Sequence, residues 1–595
     1  NADLNRALKW QLAVHRLFLR QAVPKKKKGF PTVSTTAFTK PVLDRRFKMW
    51  DDGDYQGLVK ELVEDLQNTR PLSGKVVNSE LAIIKQKAHE AAADGNRKKA
   101  QSYLNATNKG VAPLTGPSAD PRVIEQLNKK NPERQEKMPG HLTDVHGNPL
   151  DKKAKFERIN VQGQLFRKFR RLLPNKGRGP SGNSNAYLKA QAQHFDSALA
   201  NRVIPMHEMF AELYLNGDLP KWYYYVTSAV TMVALIKPAK TPLPESAAPD
   251  VRPVAMGEVW RRAVVSCAVG KENVAIGASY EGIQVAVGVK DASPKLLTLI
   301  RATLEANPNF VVVKIDLKNA YNEAHRTAVL QSLLDNPTTR KFARYFHASM
   351  SPKSRMFGIG VSSETGVQQG APDATFEFTQ VIHQDVVELH RVVTEAGGAC
   401  CFYSDDGYVV GPPDVVFPAL KKFQTSLFTR TNLVLVEDKC EVYSEDPAIA
   451  RDYLTNNPEF NKFNLGALPD VDTTQATAGA GYGIKILGVP VGDLRYIDTI
   501  LSNKVTSIRE DIFNSTRILS GCNLSESSDD SIGLEEPVNN EAETLTTEDS
   551  NRGADLQLLQ NLLLVCLLPR FDYWLQNLPP HLTLKHMQKR STRFF

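Results

Sequence analysis

The stretch Ala399-Cys400-Cys401-Phe402-Tyr403-Ser404-Asp405-Asp406-Gly407-Tyr408-Val409-Val410-Gly411 constrains the chain more than any other. Two apolar runs rich in β-formers flank an Asp-Asp-Gly turn, the pattern of a tight β-hairpin. Adjacent carboxylates at such a tip repel each other unless a cation offsets their charge. Magnesium suits that place, because it takes carboxylate oxygens together with phosphate oxygens. An isolated Asp-Asp-Gly is far more often ordinary turn chemistry, so the reading needs a second half of the site elsewhere.

Phe310-Val311-Val312-Val313-Lys314-Ile315-Asp316-Leu317-Lys318-Asn319-Ala320-Tyr321-Asn322 supplies it. A β-branched run carries Asp316 to the end of a buried strand, and the spacing predicts a helix from Asn322 to Leu334. Asp316, Asp405 and Asp406 together make the three carboxylates with which a two-metal phosphoryl-transfer site clamps the attacking and leaving oxygens.

The 595 residues suffice for three or four domains, and 42% apolar content for sizeable cores. The net charge of +9 points to a polyanionic partner. Residues 521–550 hold nine acids and no Lys or Arg, so the rest of the chain carries +18. That segment lacks apolar anchors and reads as a disordered loop. The six cysteines form no C-x-x-C pair, so neither a zinc module nor a disulfide framework is readable. No apolar run approaches the roughly 20 residues of a membrane span. No signal peptide is seen, so an intracellular compartment is expected, with the nucleus as its site. The ends at Asn1 and Phe595 suggest a segment of a longer polypeptide.

Residues 1 to about 105 read as helical, with Pro24 to Gly29 either a solvated basic loop or a nucleic-acid or import patch. Residues 133–158 are the best linker. Phe166-Arg167-Lys168-Phe169-Arg170-Arg171 interleaves bases with aromatics, as expected for a surface that tracks phosphates and stacks on bases; a helix with a basic outer face fits as well.

Asp316 followed five residues later by Tyr321, then Gly366-Val367-Gln368-Gln369-Gly370-Ala371-Pro372, then Tyr403-Ser404-Asp405-Asp406, stand in the order and form of the reverse-transcriptase palm. The chain resembles the polymerases of non-long-terminal-repeat retrotransposons, most closely the site-specific group with a C-terminal restriction-like endonuclease. The resemblance implies an α+β right-hand polymerase with a helical N-terminal extension and linker (1–158), fingers (159–310), a palm (311–492, with a fingers insertion at about 336–360) and a thumb (493–595) holding the acidic insert at about 521–553. It departs from the family pattern at Ala371 and Asp373, which leaves fidelity and template fit open.

The resemblance further implies two magnesium ions, or manganese, on Asp316, Asp405 and Asp406. Lys237 and Arg252 would hold the incoming dNTP, and Tyr321 would pack under its sugar and reject a ribose hydroxyl. Gln369 and Gly370 would abut the nascent pair, and Lys439 would lie near the pyrophosphate as general acid or as a plain surface lysine. Gly366, Gln284, Tyr403, Leu487 and Gly488 would border template or primer. Arg261 and Arg262 divide evenly between template contact and structural pairing. Implied partners are an RNA template, a DNA primer or target DNA, and an endonuclease in a part of the polypeptide outside this chain, with target-primed reverse transcription as the setting. Two other readings stand: an RNA-dependent RNA polymerase, and a non-catalytic transposon-derived nucleic-acid-binding scaffold.

Overall fold

The computed structural model describes residues 2–13, 40–68, 80–93, 97–104, 111–116, 119–142, 156–173, 177–193, 197–237, 247–475, 477, 479–520, 557–558, 560, 562, 573–574 and 576–583. The basic run at 24–29, the acidic segment, most of the Leu-rich stretch 556–570 and the basic tail 585–593 lie outside them.

The chain is a mixed α+β protein. In chain order its strands are β1 (Val111–Ala112), β2 (Val230–Ile236), β3 (Val251–Met256), β4 (Val311–Ile315), β5 (Ser354–Phe357), β6 (Ser362–Ser363), β7 (Ala399–Tyr403), β8 (Asp406–Gly411), β9 (Glu441–Ser444), β10 (Asn464–Leu465), β11 (Gly483–Ile486) and β12 (Val489–Gly492). One sheet runs β10-β9-β4-β8-β7, with β4 antiparallel to both neighbours. A central strand must be apolar on both faces, and Val311, Val312 and Val313 are fully buried.

Alternation along the strands separates two cores. Val311, Val313, Ile315 and Phe402 face a large core that includes the helices Ala374–Glu395 and Pro413–Thr431. Val312, Cys401 and Tyr408 face a second core built from the helix Ala292–Ala306, the β11–β12 hairpin and the start of the helix Leu494–Ser520. Each buried Val or Ile contributes about 1.5–3 kcal/mol, so the frame beneath Asp316 is rigid.

A second sheet runs β1-β2-β5-β6, with β3 also paired to β2. β3 tolerates Pro253 because it is an edge strand, and the register sets Arg252 opposite Leu235. Segment 336–360 sends β5 into this sheet, parallel to β2.

Two expectations are corrected. The helix expected over Asn322–Leu334 is split into Ala320–Glu323 and Arg326–Asp335. No Gly or Pro marks the break; the carbonyl of Ala324 accepts from Gly366 N–H at 2.8 Å and the N–H of His325 donates to Thr431 at 2.9 Å. Nor are residues 133–142 a linker: Arg134 donates to the Ser351 carbonyl, Glu136 accepts from the Arg326 N–H at 3.0 Å, and Met138 and Leu142 are buried. Among the described residues no helix is long and apolar enough to cross a membrane.

Candidate active site

The β7–β8 hairpin turns on Ser404 and Asp405, because Tyr403 pairs with Asp406. The tip lies one residue earlier than the Asp-Asp-Gly pattern predicts, and Asp406 begins β8. Ser404 takes φ +62°, a left-handed conformation that a residue with a side chain keeps only when its surroundings hold it. Gly407 serves packing: a Cβ there would stand 2.4 Å from the Phe402 ring.

Gln284 is what holds Ser404. Its Oε1 accepts from the Ser404 N–H at 2.8 Å and its Nε2 donates to the Ser404 carbonyl at 3.1 Å. Around it, Val285 N–H donates to the Phe402 carbonyl and Phe402 N–H to that of Ile283, so the segment covers the free edge of β7. Gln284, expected to border the template, is 1% exposed, with its amide committed to the turn.

The register pairs Ile315 with Gly407, so Asp316, the next residue, stands beside Asp406. Burial raises the pKa of Asp316; Lys439, Lys314 and Lys237 oppose this, and Asp405 adds to it. Asp406 reaches solvent, yet partial burial heads the causes of its raised pKa, followed by Asp405, with Lys314 and Arg252 opposing. The three carboxylates thus act on one another, and Lys237, Arg252, Lys314 and Lys439 act on them.

Those cations come from different elements. Lys237 follows β2 and pairs with Asp250 at 2.8 Å, and Lys130, just after the helix Pro121–Lys129, reaches the same carboxylate at 2.5 Å. Burial opposes ionisation of Asp250, but the two lysines outweigh it and bring its pKa down to about 2. Arg252 projects from β3 and is exposed. Lys439 is exposed on the turn Glu437–Lys439 that precedes β9. Lys314 lies on β4, 3.3 Å from Glu441. Lys130 and Lys314 escaped the sequence reading; Lys314 was legible as the residue two before Asp316, and Lys130 carried no local signal.

Tyr321 lies half-buried in the short helix Ala320–Glu323, its ring stacked on Phe378 at 4.8 Å between centroids. Its hydroxyl is 2.6 Å from Ser404 Oγ and 3.5 Å from Thr375 Oγ1. Burial raises its pKa, so it stays a neutral phenol. The Gln369 carbonyl accepts from Ala255 N–H at 2.7 Å, which fastens its loop to β3 three residues beyond Arg252, and exposed Gly370 has φ +107°.

Other residues expected to border template or primer have contacts within the protein. Arg261, at 3% exposure, donates to Tyr345 Oη at 3.0 Å and to Gln368 Oε1 at 2.8 Å; burial opposes its charge, and Tyr345, Tyr214 and Asp373 more than offset this. Of its two readings, the structure shows the structural pairing. Arg262, half-buried, donates to the Gly177 carbonyl. Gly366, at φ +60°, packs on backbone: a Cβ would lie 2.2 Å from the Tyr321 carbonyl oxygen. Tyr403 packs against the second core. Leu487 and Gly488 form the β11–β12 turn with φ +47° and +86°, as a type I′ turn needs. Tyr408 Oη accepts from Leu487 N–H at 3.0 Å and Tyr573 Oη donates to its carbonyl at 2.9 Å, which ties this turn to β8. In the basic run, Phe169 is core and Arg170 lies over the half-buried Phe166 ring; Arg167, Lys168 and Arg171 line a surface hollow of 460 Å³.

Asp373 and Glu377, one turn apart, are both buried. Burial, then Asp373, raises the Glu377 pKa far above the carboxylate range, so Glu377 is a neutral acid beside the Arg261 cation.

Among the described residues no set of three or more His, Cys, Asp and Glu side chains forms a metal cage by itself. Magnesium does not need one, since it binds through one or two carboxylates and completes its octahedron with water and substrate phosphates. Carboxylates whose pKa values are raised by burial and by one another are the donors such an ion stabilises.

No protein-family model matches the chain, and no curated protein matches it.

Proposed function

We propose that the chain is an RNA-directed DNA polymerase that transfers nucleotidyl groups from dNTPs to a primer 3′-hydroxyl, with the right-hand architecture and the retrotransposon setting that its motifs resemble. The observation that carries this reading is the electrostatic convergence of Asp316, Asp405 and Asp406 from adjacent strand ends with Lys237, Arg252 and Lys439 from three other segments. An acidic centre faced by separate cations fits a reaction in which a polyphosphate is both bound and expelled.

Magnesium held by Asp316, Asp405 and Asp406 would supply activation of the primer hydroxyl and neutralisation of the leaving pyrophosphate. The chain's own groups do the rest. Lys237 exchanges Asp250 for triphosphate oxygens, and Arg252 engages phosphate through two donors. The primer 3′-hydroxyl gives its proton to water as O3′ bonds to the α-phosphorus, the bond from that phosphorus to the β-side bridging oxygen breaks, and Lys439 gives its proton to the departing pyrophosphate. Tyr321 presents a neutral ring where a 2′-hydroxyl would lie, and the Gln369–Gly370 loop backs the nascent pair with bare backbone.

The reading is tested by DNA-primed extension on an RNA template, with Arg252→Ala as the probe. It requires extension by the unmutated chain and a raised KM for dNTP in the variant at unchanged primer-template affinity. Equal KM values would remove Arg252 from the triphosphate site, and no extension under any divalent cation would defeat the reading.

A further inference from the structure

Ser404 is joined to both halves of the site. Its backbone is clasped by Gln284 through two hydrogen bonds, so the residue cannot drift with the turn. Its side chain, in a residue only 6% exposed, meets the Tyr321 hydroxyl at 2.6 Å. Stacking on Phe378, with planes 18° apart, and packing against the large core fix the tilt of the Tyr321 ring; a stacked contact resists displacement within the ring plane less than it resists tilting. The hydroxyl contact opposes that displacement. Thr375 Oγ1, the other partner, is at 3.5 Å, near the limit of a hydrogen bond. The position of the ring relative to Asp405 and Asp406 is therefore set by one short bond to Ser404.

We infer that Ser404 is a specificity-determining positioning residue: its hydroxyl locks the Tyr321 ring edge at a fixed distance from the catalytic turn and so sets how strongly the site discriminates between deoxyribonucleoside and ribonucleoside triphosphates. The inference rests on the polymerase reading. It adds a second element to discrimination, because a ring able to slide leaves room for a 2′-hydroxyl that a tethered ring excludes. An aliphatic residue at position 404 would leave the backbone clasp intact and abolish the tether alone.

The test measures kcat/KM for a dNTP and for the matching rNTP on a DNA-primed RNA template, for the unmutated chain, Ser404→Ala, Tyr321→Phe and the double variant. Tyr321→Phe removes the same bond from the other end, so the test survives if either single variant folds poorly. Each single substitution is expected to lower the dNTP/rNTP ratio about fivefold, the size of one buried neutral hydrogen bond, and the double variant to lower it no further. A purely structural role would reduce both substrates alike and leave the ratio unmoved. Unchanged ratios in both single variants would overturn the inference and leave the polymerase reading standing, as would a double variant whose loss is the product of the two singles. Failure of the unmutated chain to use either substrate would overturn both.

Discussion

Replacing Gln284 by leucine tests how the turn is held. Leucine fills a similar volume in a site that is 1% exposed, but it has no donor or acceptor. Ser404 would lose its 2.8 Å acceptor and its 3.1 Å donor, and both backbone groups would be left buried without partners. Each such group costs about 1–3 kcal/mol, so the native turn would lose about 2–6 kcal/mol. Most of that range lies below the roughly 5–15 kcal/mol by which folded proteins are typically stable, and the left-handed Ser404 gives the loosened turn a further reason to rearrange. Urea denaturation should report a destabilised but folded chain. Single-turnover extension should fall about a hundredfold, the usual effect of a misplacement of about 1 Å at a reacting centre. RNA affinity should not change, because the amide reaches no ligand. Gln284→Glu keeps the acceptor for the Ser404 N–H, loses the donor and adds a charge near Asp405, so it should be as inactive. An unimpaired Gln284→Leu enzyme would refute the clasp; lost RNA binding with intact stability would restore the template contact.

Arg261→Met should cost about 3–5 kcal/mol in chemical denaturation, since it strips a buried cation from Tyr345, Gln368 and Asp373, while the salt dependence of RNA binding stays the same. A reduced salt slope would show that Arg261 meets phosphate after all. Gly366→Ala should destabilise by about 2 kcal/mol or more, because φ +60° is strained for alanine and its Cβ would strike the Tyr321 carbonyl; an unchanged melting curve would contradict this packing. Asp316 and Asp406 have folded pKa values above their unfolded ones, so without divalent cations the stability they contribute is largest below the unfolded value and is lost as pH rises through the folded one. Asp316→Asn should therefore melt higher than the unmutated chain at neutral pH without magnesium, and should show no magnesium-dependent rise in melting temperature; a lower melting point would mean that the carboxylate is stabilised by its lysines rather than strained by its neighbours.

The elements that carry strong local patterns were legible. The Val311–Val313 run gave a central strand with Asp316 at its end, and the β-runs around Asp405 gave the hairpin. Most of the misses share one cause: the deciding contact was far away in sequence. Nothing near Gln284 shows that its amide faces Ser404, 120 residues on. The arginine of the pair Arg261-Arg262 that turned inward was not marked by its neighbours, because Tyr345 and Gln368 settled it. The break after Glu323 is imposed by Gly366 and Thr431, and Lys130 reaches Asp250 across the base of the β2–β3 connection. Asp373 looked like a departure from pattern; the structure explains it as half of a buried acid pair with Glu377, countered by Arg261.

The most direct measurement is extension of a DNA primer on an RNA template with magnesium, run with dNTPs and separately with NTPs, for the unmutated chain and for Asp405→Ala. The account predicts extension with dNTPs, far weaker extension with NTPs, and loss of both in Asp405→Ala at unchanged template affinity. Extension that persists in Asp405→Ala, or that prefers NTPs, would contradict it.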